Sequence, residues 1–317
     1  MKPPYKITAF ILSKVSAISE MLGEVHANYL SKPSMQLRRQ NRIRTIHASL
    51  GIEGNTLTQE QVTALLDNKP VIGPKKDILE VLNAIKVYGR LSSFDPCSPE
   101  SFLSAHRTLM GGLVGQSGHF RNQSVGIVHG KEVAHVAPPA ENVPFLMNDL
   151  FDYLNKDEDL ALIKSCVFHY EMEFIHPFLD GNGRMGRLWQ TVILSNANPV
   201  FEFLPLETLI IQTQDAYYKA LAVSDNAGES TAFIEYMLKL IEDSLIELLD
   251  YNNRVLTDTD RIEYFISLNK GEFTRKDYMN VFKDISSATA SRDIKKGVDM
   301  MLFEKAGDKR LTKYQIK

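Results

Sequence analysis

The chain has 317 residues and a formal net charge of −3, and 44% of its residues are hydrophobic and 24% charged. These values are ordinary for folded globular proteins, and the negative average charge argues against a nucleic-acid-binding surface that covers the whole protein. The two cysteines, Cys97 and Cys166, are too few for a disulfide framework or a thiolate zinc site.

Neither a membrane span nor a signal peptide is predicted. No apolar run approaches the roughly 20 residues that a membrane helix needs. The apolar stretch at residues 7–12 is short, and Lys14 interrupts it before any small-residue cleavage site. We therefore predict a cytoplasmic protein with no membrane partner.

The first half of the chain predicts amphipathic helices separated by proline and glycine breakers. Residues 77–91 repeat apolar side chains with the period of a helix, with Ile78, Val81, Leu82, Ile85 and Tyr88 on the apolar face. Ser98 and Pro99 supply an N-cap and a first-turn proline, which predicts a helix to about residue 110. Residues 125–136 instead contain short β-branched runs, which predict a small hairpin.

The second half continues with helical periodicity and then changes character near residue 257. Helices are predicted over residues 143–153, 160–174 and 231–249. Strand–helix–strand alternation is absent from the pattern, so a parallel sheet is not expected. We predict an all-α, mainly helical fold with the small hairpin as its exception.

The tail is predicted to form a separate small domain. Its three short amphipathic segments, 261–268, 273–282 and 287–303, are followed by a turn at 307–310 between strand-like pieces. This order resembles a winged helix-turn-helix, in which residues 287–296 would open the recognition-like helix and residues 307–310 would form the tip of the wing.

The densest chemistry of the chain lies in residues 176–187, which read HPFLDGNGRMGR. Gly181, Gly183 and Gly186 fit the spacing G-x-G-x-x-G, and Glu202 lies about 20 residues further on, as in a dinucleotide-binding fingerprint. That fingerprint requires a β-strand directly before it. The preceding segment is helical by its apolar period, so we reject the dinucleotide interpretation.

The same residues favour a polyphosphate site. Residues 181–183 at the start of a helix offer free backbone N–H groups and the positive end of a helix dipole. Arg184 and Arg187 lie three residues apart and share one helix face, where they suit phosphate oxygens. Asp180 is placed to hold Mg²⁺ against a polyphosphate, and His176 to take a proton from a hydroxyl. The pattern predicts nucleotidyl or phosphoryl transfer.

Residues 176–187 match the motif H-P-F-x-[D/E]-G-N-G-R-x-x-R of the Fic family at every defined position, and the chain resembles that family over roughly residues 40–245. The resemblance implies a helical Fic/Fido fold and a protein adenylyltransferase. Such an enzyme moves AMP from ATP to a Ser, Thr or Tyr hydroxyl of a protein target, or of itself, and releases pyrophosphate.

The resemblance also implies roles for individual residues. His176 would be the catalytic base, Asp180 the ligand of Mg²⁺ or Mn²⁺, and Phe178 an apolar anchor of the loop. The hairpin predicted at residues 125–136 would be the flap of the family, which pairs with an extended target segment. The nucleotide-binding residues implied are Asp180, Gly181, Asn182, Gly183, Arg184, Met185, Gly186, Arg187, Tyr217 and Asn226, together with the flap residues Val125, Gly126, Ile127 and Val128.

An inhibitory segment is predicted upstream. Ser49 and Glu53 fit the pattern [S/T]-x-x-x-E-[G/N], which beside a Fic motif resembles the inhibitory helix of that family, here at about residues 41–55. A glutamate paired with Arg187 would remove the guanidinium from the γ-phosphate and place a negative charge where phosphate should sit. The predicted domains are thus an N-terminal helical region at 1–95, a Fic catalytic core at 96–250 and a winged-helix-like domain at 255–317.

Alternatives remain open at this stage. The scaffold could transfer UMP, phosphocholine or phosphate, or remove AMP, or survive as an inactive binding module.

Residues 270–317 contain 12 Lys and Arg against 7 Asp and Glu, a net charge of +5, which leaves −8 for the rest of the chain. A basic domain on an acidic body fits a nucleotide-sensing DNA-binding regulator that contacts DNA through residues 255–317, although such a domain also serves for docking. The sequence does not decide between a monomer and a homo-oligomer.

Overall fold

Helices make up most of the computed structural model, which describes residues 2–27, 35–129, 132–254, 257–269, 271–282, 285–307 and 312–316. The prediction of a mainly helical fold is confirmed. The chain divides into two units, Met1–Glu247 and Leu248–Lys317. The predicted boundary near residue 95 stays a prediction. Across the described residues, no helix combines the length and the apolar character that a bilayer crossing requires.

Over its described residues, the first unit is helical apart from one hairpin. Its elements are α1 (Ala9–Ala27), α2 (Met35–Ile52), α3 (Gln59–Leu66), α4 (Lys75–Tyr88), α5 (Pro99–Leu109), β1 (Gly126–His129), β2 (Glu132–Val136), α6 (Val143–Lys156), α7 (Ala161–Ile175), α8 (Asn182–Ala197), α9 (Leu206–Gln212), α10 (Gln214–Ala227) and α11 (Thr231–Arg254). The division between the units falls within α11. The hairpin is antiparallel, with Gly126 opposite Val136 and a bulge between Ile127 and Val128.

Local sequence explains where these helices begin. Ser98 caps α5 by accepting a hydrogen bond from the Ser101 N–H at 3.1 Å, and Pro99 is the first helical residue, as predicted. α4 differs from its prediction in the face that it buries. The buried stripe includes Glu80 and Asn83, whereas Leu82 is exposed. These two buried polar residues have partners, because Asn83 donates to the Gly111 carbonyl at 2.8 Å and Glu80 binds an arginine of α8.

Aromatic rings fill the core around α5, α7 and α8. Phe102 is fully buried, and its ring centroid lies 5.0 Å from that of Trp189 and 5.4 Å from that of Phe178. Another buried group is Glu207 on α9, which is 1% exposed and accepts a hydrogen bond from the Tyr88 hydroxyl at 3.0 Å. Burial raises the pKa of Glu207 to about 7, against the opposing effect of its hydrogen bonds.

The second unit combines short helices with a small antiparallel sheet. Its remaining elements are α12 (Asp258–Leu268), β3 (Glu272–Phe273), α13 (Arg275–Val281), α14 (Ser287–Asp299), β4 (Phe303–Ala306) and β5 (Lys313–Ile316), and the strand order in the sheet is β3-β5-β4. Its core includes Ile262, Phe265, Phe273, Tyr278, Phe282, Ala290, Ile294 and Phe303. The predicted wing tip at 307–310 falls, except for Gly307, outside the described residues.

The helix predicted over residues 287–303 is shorter than expected, because it ends at Asp299. Met301 has a positive φ of 59°. Its N–H donates to the Val298 carbonyl at 3.0 Å, and the Leu302 N–H donates to the Gly297 carbonyl at 2.9 Å. This is a Schellman-type helix end. The chain therefore leaves the helix in time for Phe303 to enter β4.

Candidate active site

The loop between α7 and α8 carries the predicted site, and two left-handed residues shape it. His176 directly follows α7 with φ 50° and ψ 60°, a conformation that is uncommon for residues other than glycine. Gly181, with φ 87°, precedes α8 and adopts this conformation without a steric penalty. The imidazole therefore stands at the end of one helix and close to the start of the next.

Hydrogen bonds from two buried side chains fix this loop. Asn182 accepts from the Phe178 N–H and donates to the Phe178 carbonyl, both at 2.9 Å. Arg121, which is 2% exposed, donates to the His176 carbonyl at 2.7 Å and to the Pro138 carbonyl at 2.5 Å. The amide of Asn182 is thus committed to the loop, so its contact with a phosphate would use its backbone N–H.

Phe178 anchors the loop in the core, in keeping with the predicted role. It is fully buried, and its ring stacks on that of His106 with the centroids 3.6 Å apart. The Gly118 N–H donates to His106 Nδ1 at 2.8 Å, so the hydrogen lies on Nε2, which donates to the Asp180 carbonyl at 3.0 Å. Burial lowers the pKa of His106 to about 4, so this ring is neutral near pH 7.

The start of α8 has the geometry that the predicted anion site requires. The N–H groups of residues 182–184 lie in the first turn, where a helix offers them no carbonyl partner. The positive end of the helix dipole lies at the same place. Of the other two predicted contacts on α8, Met185 is fully buried and Gly186 lies against the ring of His169. Nucleotide contact by these two residues stays a prediction.

Arg184 is held by two carboxylates. It donates to Asp180 Oδ1 at 2.8 Å and to Glu80 Oε1 at 3.1 Å. Glu80 is 6% exposed, and its other oxygen accepts a hydrogen bond from Asn55 at 2.8 Å. Because an ion pair of this kind fixes the planar guanidinium, Glu80 and Asp180 together orient Arg184 beside the helix N-terminus.

Arg187 is bound by Ser49 and Glu53, the two residues that define the predicted inhibitory segment. Its Nη2 donates to Glu53 Oε1 at 2.7 Å and to the Ser49 carbonyl at 3.0 Å, and its Nε donates to Ser49 Oγ at 3.3 Å. A methyl group built on Gly183 would lie 2.6 Å from Glu53 Oε1. Burial alone would lower the pKa of Arg187, but the Glu53 carboxylate keeps it above its usual value. The Glu53 carboxylate therefore lies directly over the start of α8.

A buried polar network lies behind Arg187. Tyr217, which is 1% exposed, donates to Glu173 Oε1 at 3.5 Å, and its hydroxyl lies 3.1 Å from His169 Nε2. Burial raises the pKa of Glu173 to about 7, although Arg187 opposes the shift. The Tyr217 hydroxyl is thus turned toward buried groups, whereas Asn226 is exposed near the end of α10. Contact of these two residues with adenosine stays a prediction.

The flap lies where the sequence predicted a hairpin. Val125 is half-buried just before β1, and β1 carries Gly126, Ile127 and Val128. Within the described part of the chain, β1 pairs with β2 alone, so its other edge keeps its backbone groups for a further strand.

Asp180 fits the predicted magnesium ligand. Its side chain is 46% exposed, and Oδ1 is bound by Arg184 and the Gly181 N–H, while Oδ2 has no hydrogen bond or ion pair with the residues that the structure describes. No cluster of three or more metal-binding side chains occurs among those residues. A single carboxylate is nevertheless a suitable donor set, because Mg²⁺ in nucleotide sites takes its other ligands from water and phosphates.

Comparisons with known proteins agree with this geometry. Residues 96–194 match the family model described as "Fic/DOC family". The crystal structure of a Fic family protein from Desulfovibrio desulfuricans G20 is 40% identical to the chain, with a TM-score of 0.77, over 100% of this chain and 98% of that one. The chain belongs to the Fic/DOC family. Residues 176–187 of this Fic protein lie within the matched region, whereas Ser49 and Glu53 lie outside it.

More distant relatives carry a stated activity. The protein adenylyltransferase fic-1 of Caenorhabditis elegans is 29% identical over 81% of this Fic protein and 51% of its own length. The protein adenylyltransferase Fic of Aedes aegypti is 28% identical over 68% of this chain and 44% of its own. This Fic protein thus spans about half the length of the curated relatives it matches. A solved fragment of Caenorhabditis elegans Fic-1 has a TM-score of 0.59 at 25% identity, over 75% of this chain and 74% of that one.

Two positioning residues were missed by sequence reasoning, and one was underestimated. Glu80 lies on α4 outside the apolar face that the helical period predicts, so the sequence carries no signal for it. Arg121 lies shortly before β1, and only the structure shows its bonds to the loop. His106 has no motif around it in the sequence, and the structure shows that its Nε2 binds the Asp180 carbonyl.

Proposed function

We propose that this Fic protein is a protein adenylyltransferase that transfers AMP from ATP to a Ser, Thr or Tyr hydroxyl of a protein. The observation that carries the proposal is the geometry of one loop. It brings an imidazole, the N-terminus of α8 and two buried arginines together at the positions of the family motif. Relatives named protein adenylyltransferases support the choice of AMP as the transferred group.

The reaction is a displacement at the α-phosphorus of ATP. The target oxygen forms a bond to that phosphorus, the bond to the bridging oxygen breaks, and pyrophosphate leaves. His176 accepts the proton of the attacking hydroxyl, as a general base does. The N–H groups of residues 182–184 with Arg184 and Arg187 stabilise the phosphate charges, as preorganised donors do in a buried site.

Magnesium is part of this proposal through Asp180. When bound, the ion would neutralise charge on the phosphates of ATP. The role of the chain itself is to present Asp180 correctly. Arg184 binds Oδ1 and His106 holds the carbonyl of the same residue, so the carboxylate is fixed before any ion arrives.

The flap supplies the proposed contact with the target protein. An extended segment can pair with the unused edge of β1 by strand addition, which uses backbone hydrogen bonds and thus tolerates different sequences. Arg121 joins Pro138, which lies two residues after β2, to the catalytic loop at His176. A segment bound at the flap would therefore lie at a fixed distance from the imidazole.

Glu53 restrains the reaction in the proposed mechanism. Its carboxylate binds the guanidinium that should bind the γ-phosphate, and it fills the space over Gly183. A triphosphate at the start of α8 would meet both a bound arginine and a negative charge. ATP then binds productively only when the end of α2 moves or when Glu53 is absent.

Labelling with ATP tests the transfer. We expect the Glu53→Gly variant to incorporate label from α-labelled ATP into itself or into a lysate protein, but none from γ-labelled ATP. The His176→Ala change in that background should abolish incorporation and leave ATP binding unchanged. Retained incorporation would remove His176 as the base. Intact mass of the product identifies AMP.

The same assay separates the alternatives on this scaffold. Label from γ-labelled ATP would indicate phosphate transfer, and a product mass matching UMP or phosphocholine would indicate those groups. Loss of AMP from a previously modified protein would indicate AMP removal. Absence of any transfer, with ATP binding retained, would indicate an inactive binding module. The DNA-binding alternative concerns Leu248–Lys317 and not this site.

A further inference from the structure

α14 presents a basic and hydroxyl-rich face to solvent. Its exposed residues recur at intervals of three and four, so they share one side of the helix. They are Ser287, Ala288, Ser291, Arg292 and Lys295. The small residues of this set, Ser287, Ala288 and Ser291, lie in the first half of the helix. The cations, Arg292 and Lys295, follow them. Apart from the last residue, Asp299, this face carries no carboxylate.

The opposite side of α14 packs in the core of the second unit and removes the acidic charge of the helix. Asp293 is 1% exposed. It accepts hydrogen bonds from Arg261 at 2.6 and 2.9 Å and from the Tyr278 hydroxyl at 3.3 Å. The one carboxylate in the middle of α14 is therefore neutralised inside the unit, and the charge visible from solvent is more positive than the helix sequence suggests.

α13 adds cations beside this face. Arg275 is exposed and donates to Ser291 Oγ at 3.2 Å, and Lys276 beside it is exposed as well. Lys296 does not contribute, because it is half-buried and bound to Asp258 at 2.6 Å. Asp277 is exposed, but it is committed to capping α13 through Thr274. Arg275 and Lys276 of α13 are thus the accessible cations that stand beside the exposed face of α14.

We propose that this face binds the major groove of duplex DNA. α14 has 13 residues and is therefore about 20 Å long, and a major groove about 12 Å wide admits a helix of this kind. Small side chains at Ser287, Ala288 and Ser291 let the helix backbone approach the base edges. Arg275, Arg292 and Lys295 provide donors for the flanking phosphates.

The arrangement of the second unit is consistent with this use. α13 and α14 follow each other closely in the chain. The same unit contains the three-stranded sheet with the strand order β3-β5-β4. This is the element order of a winged helix-turn-helix, in which the later helix enters the groove. The proposed contact uses only residues of Leu248–Lys317.

Binding of the full chain to a fluorescent duplex of about 20 base pairs tests the proposal by anisotropy across a salt series. Three phosphate contacts predict a slope of log affinity against log salt near −3. The double variant R292Q/K295Q should lower affinity about 100-fold at low salt and bring the slope near −1. The control K86Q/K219Q makes the same charge change at exposed sites of the first unit.

Each outcome decides the matter. A loss in R292Q/K295Q with binding kept in the control supports the proposal. No duplex binding by the wild-type chain at low salt overturns it, as does an equal loss in both double variants. Equal affinity for single-stranded DNA also overturns groove binding. If the duplex does not bind but R292Q/K295Q lowers labelling of a target protein, the face is a protein-docking surface.

Discussion

Replacing Glu53, the residue directly after α2, tests whether this segment restrains ATP binding. Glu53→Gly removes both the carboxylate and its volume from the space over Gly183, whereas Glu53→Gln removes only the charge. Arg187 then keeps its bonds to Ser49 but is released from the carboxylate. We expect ATP to bind productively in both variants, and more tightly in Glu53→Gly because the space is also open.

The magnitude follows from the geometry of the ion pair. At the observed 2.7 Å, an effective dielectric constant of about 20 gives an attraction of about 6 kcal/mol before desolvation is subtracted. The Glu53 side chain is 29% exposed and Arg187 only 2%, so water weakens the pair from one side. Charged hydrogen bonds contribute about 1.5–3 kcal/mol net, and about 2 kcal/mol corresponds to an approximately 30-fold gain in productive ATP binding.

The assay is the initial rate of label incorporation from α-labelled ATP at several ATP concentrations. We expect the gain in kcat/KM to be about 30-fold for Glu53→Gly and smaller for Glu53→Gln. Glu60→Gln, which neutralises an exposed carboxylate on α3, is the matched control and should behave as wild type. Equal rates for wild type and Glu53→Gly would refute the inhibitory role, and a similar gain in Glu60→Gln would refute its specificity.

Three further predictions concern the support of the site. Because burial raises the pKa of Glu207 to about 7, above its unfolded value, its contribution to stability is present at low pH and is lost as pH rises through 7. Glu207→Gln should therefore flatten the fall in Tm between pH 5 and 8, whereas Glu202→Gln should leave that slope unchanged; an unchanged slope in Glu207→Gln would contradict the assignment. Gly183→Ala in the Glu53→Gly background should weaken ATP binding at least 10-fold in a nucleotide titration, since the methyl group would lie 3.0 Å from Arg187 Nη1; unchanged affinity would show that phosphate does not approach this glycine. Phe178→Ala should lower the free energy of unfolding by about 3–5 kcal/mol in urea denaturation, and a loss below about 1 kcal/mol would mean that the ring does not anchor the loop.

Much of the fold could be predicted from local signals. Ser98 and Pro99 marked the start of α5, and helical periodicity located α7 before the glycine-rich loop. The end of α14 could not be predicted, because Met301 adopts a positive φ that the surrounding contacts impose. Periodicity alone places residue 299 and residue 303 on the same continuous helix.

The chemistry of the loop was visible in the sequence, but its supports were not. The types and spacing of His176, Asp180 and Arg187 are sufficient to suggest a polyphosphate site. Glu80 could not be paired with Arg184, since the two residues are far apart in sequence and a buried glutamate resembles an exposed one. Tertiary contacts decide such pairs, and the helical period does not encode them.

The bonds of Arg121 have a consequence for how specificity can change. One guanidinium binds the carbonyls of Ile175, His176, Gln123 and Pro138, so the base of the flap is bound to the backbone of the loop between α7 and α8. If the proposed transfer takes place, we expect substitutions along the flap to change which peptide is accepted and to leave the loop between α7 and α8 in place. Recognition of the target and geometry of the reaction would then be able to change separately.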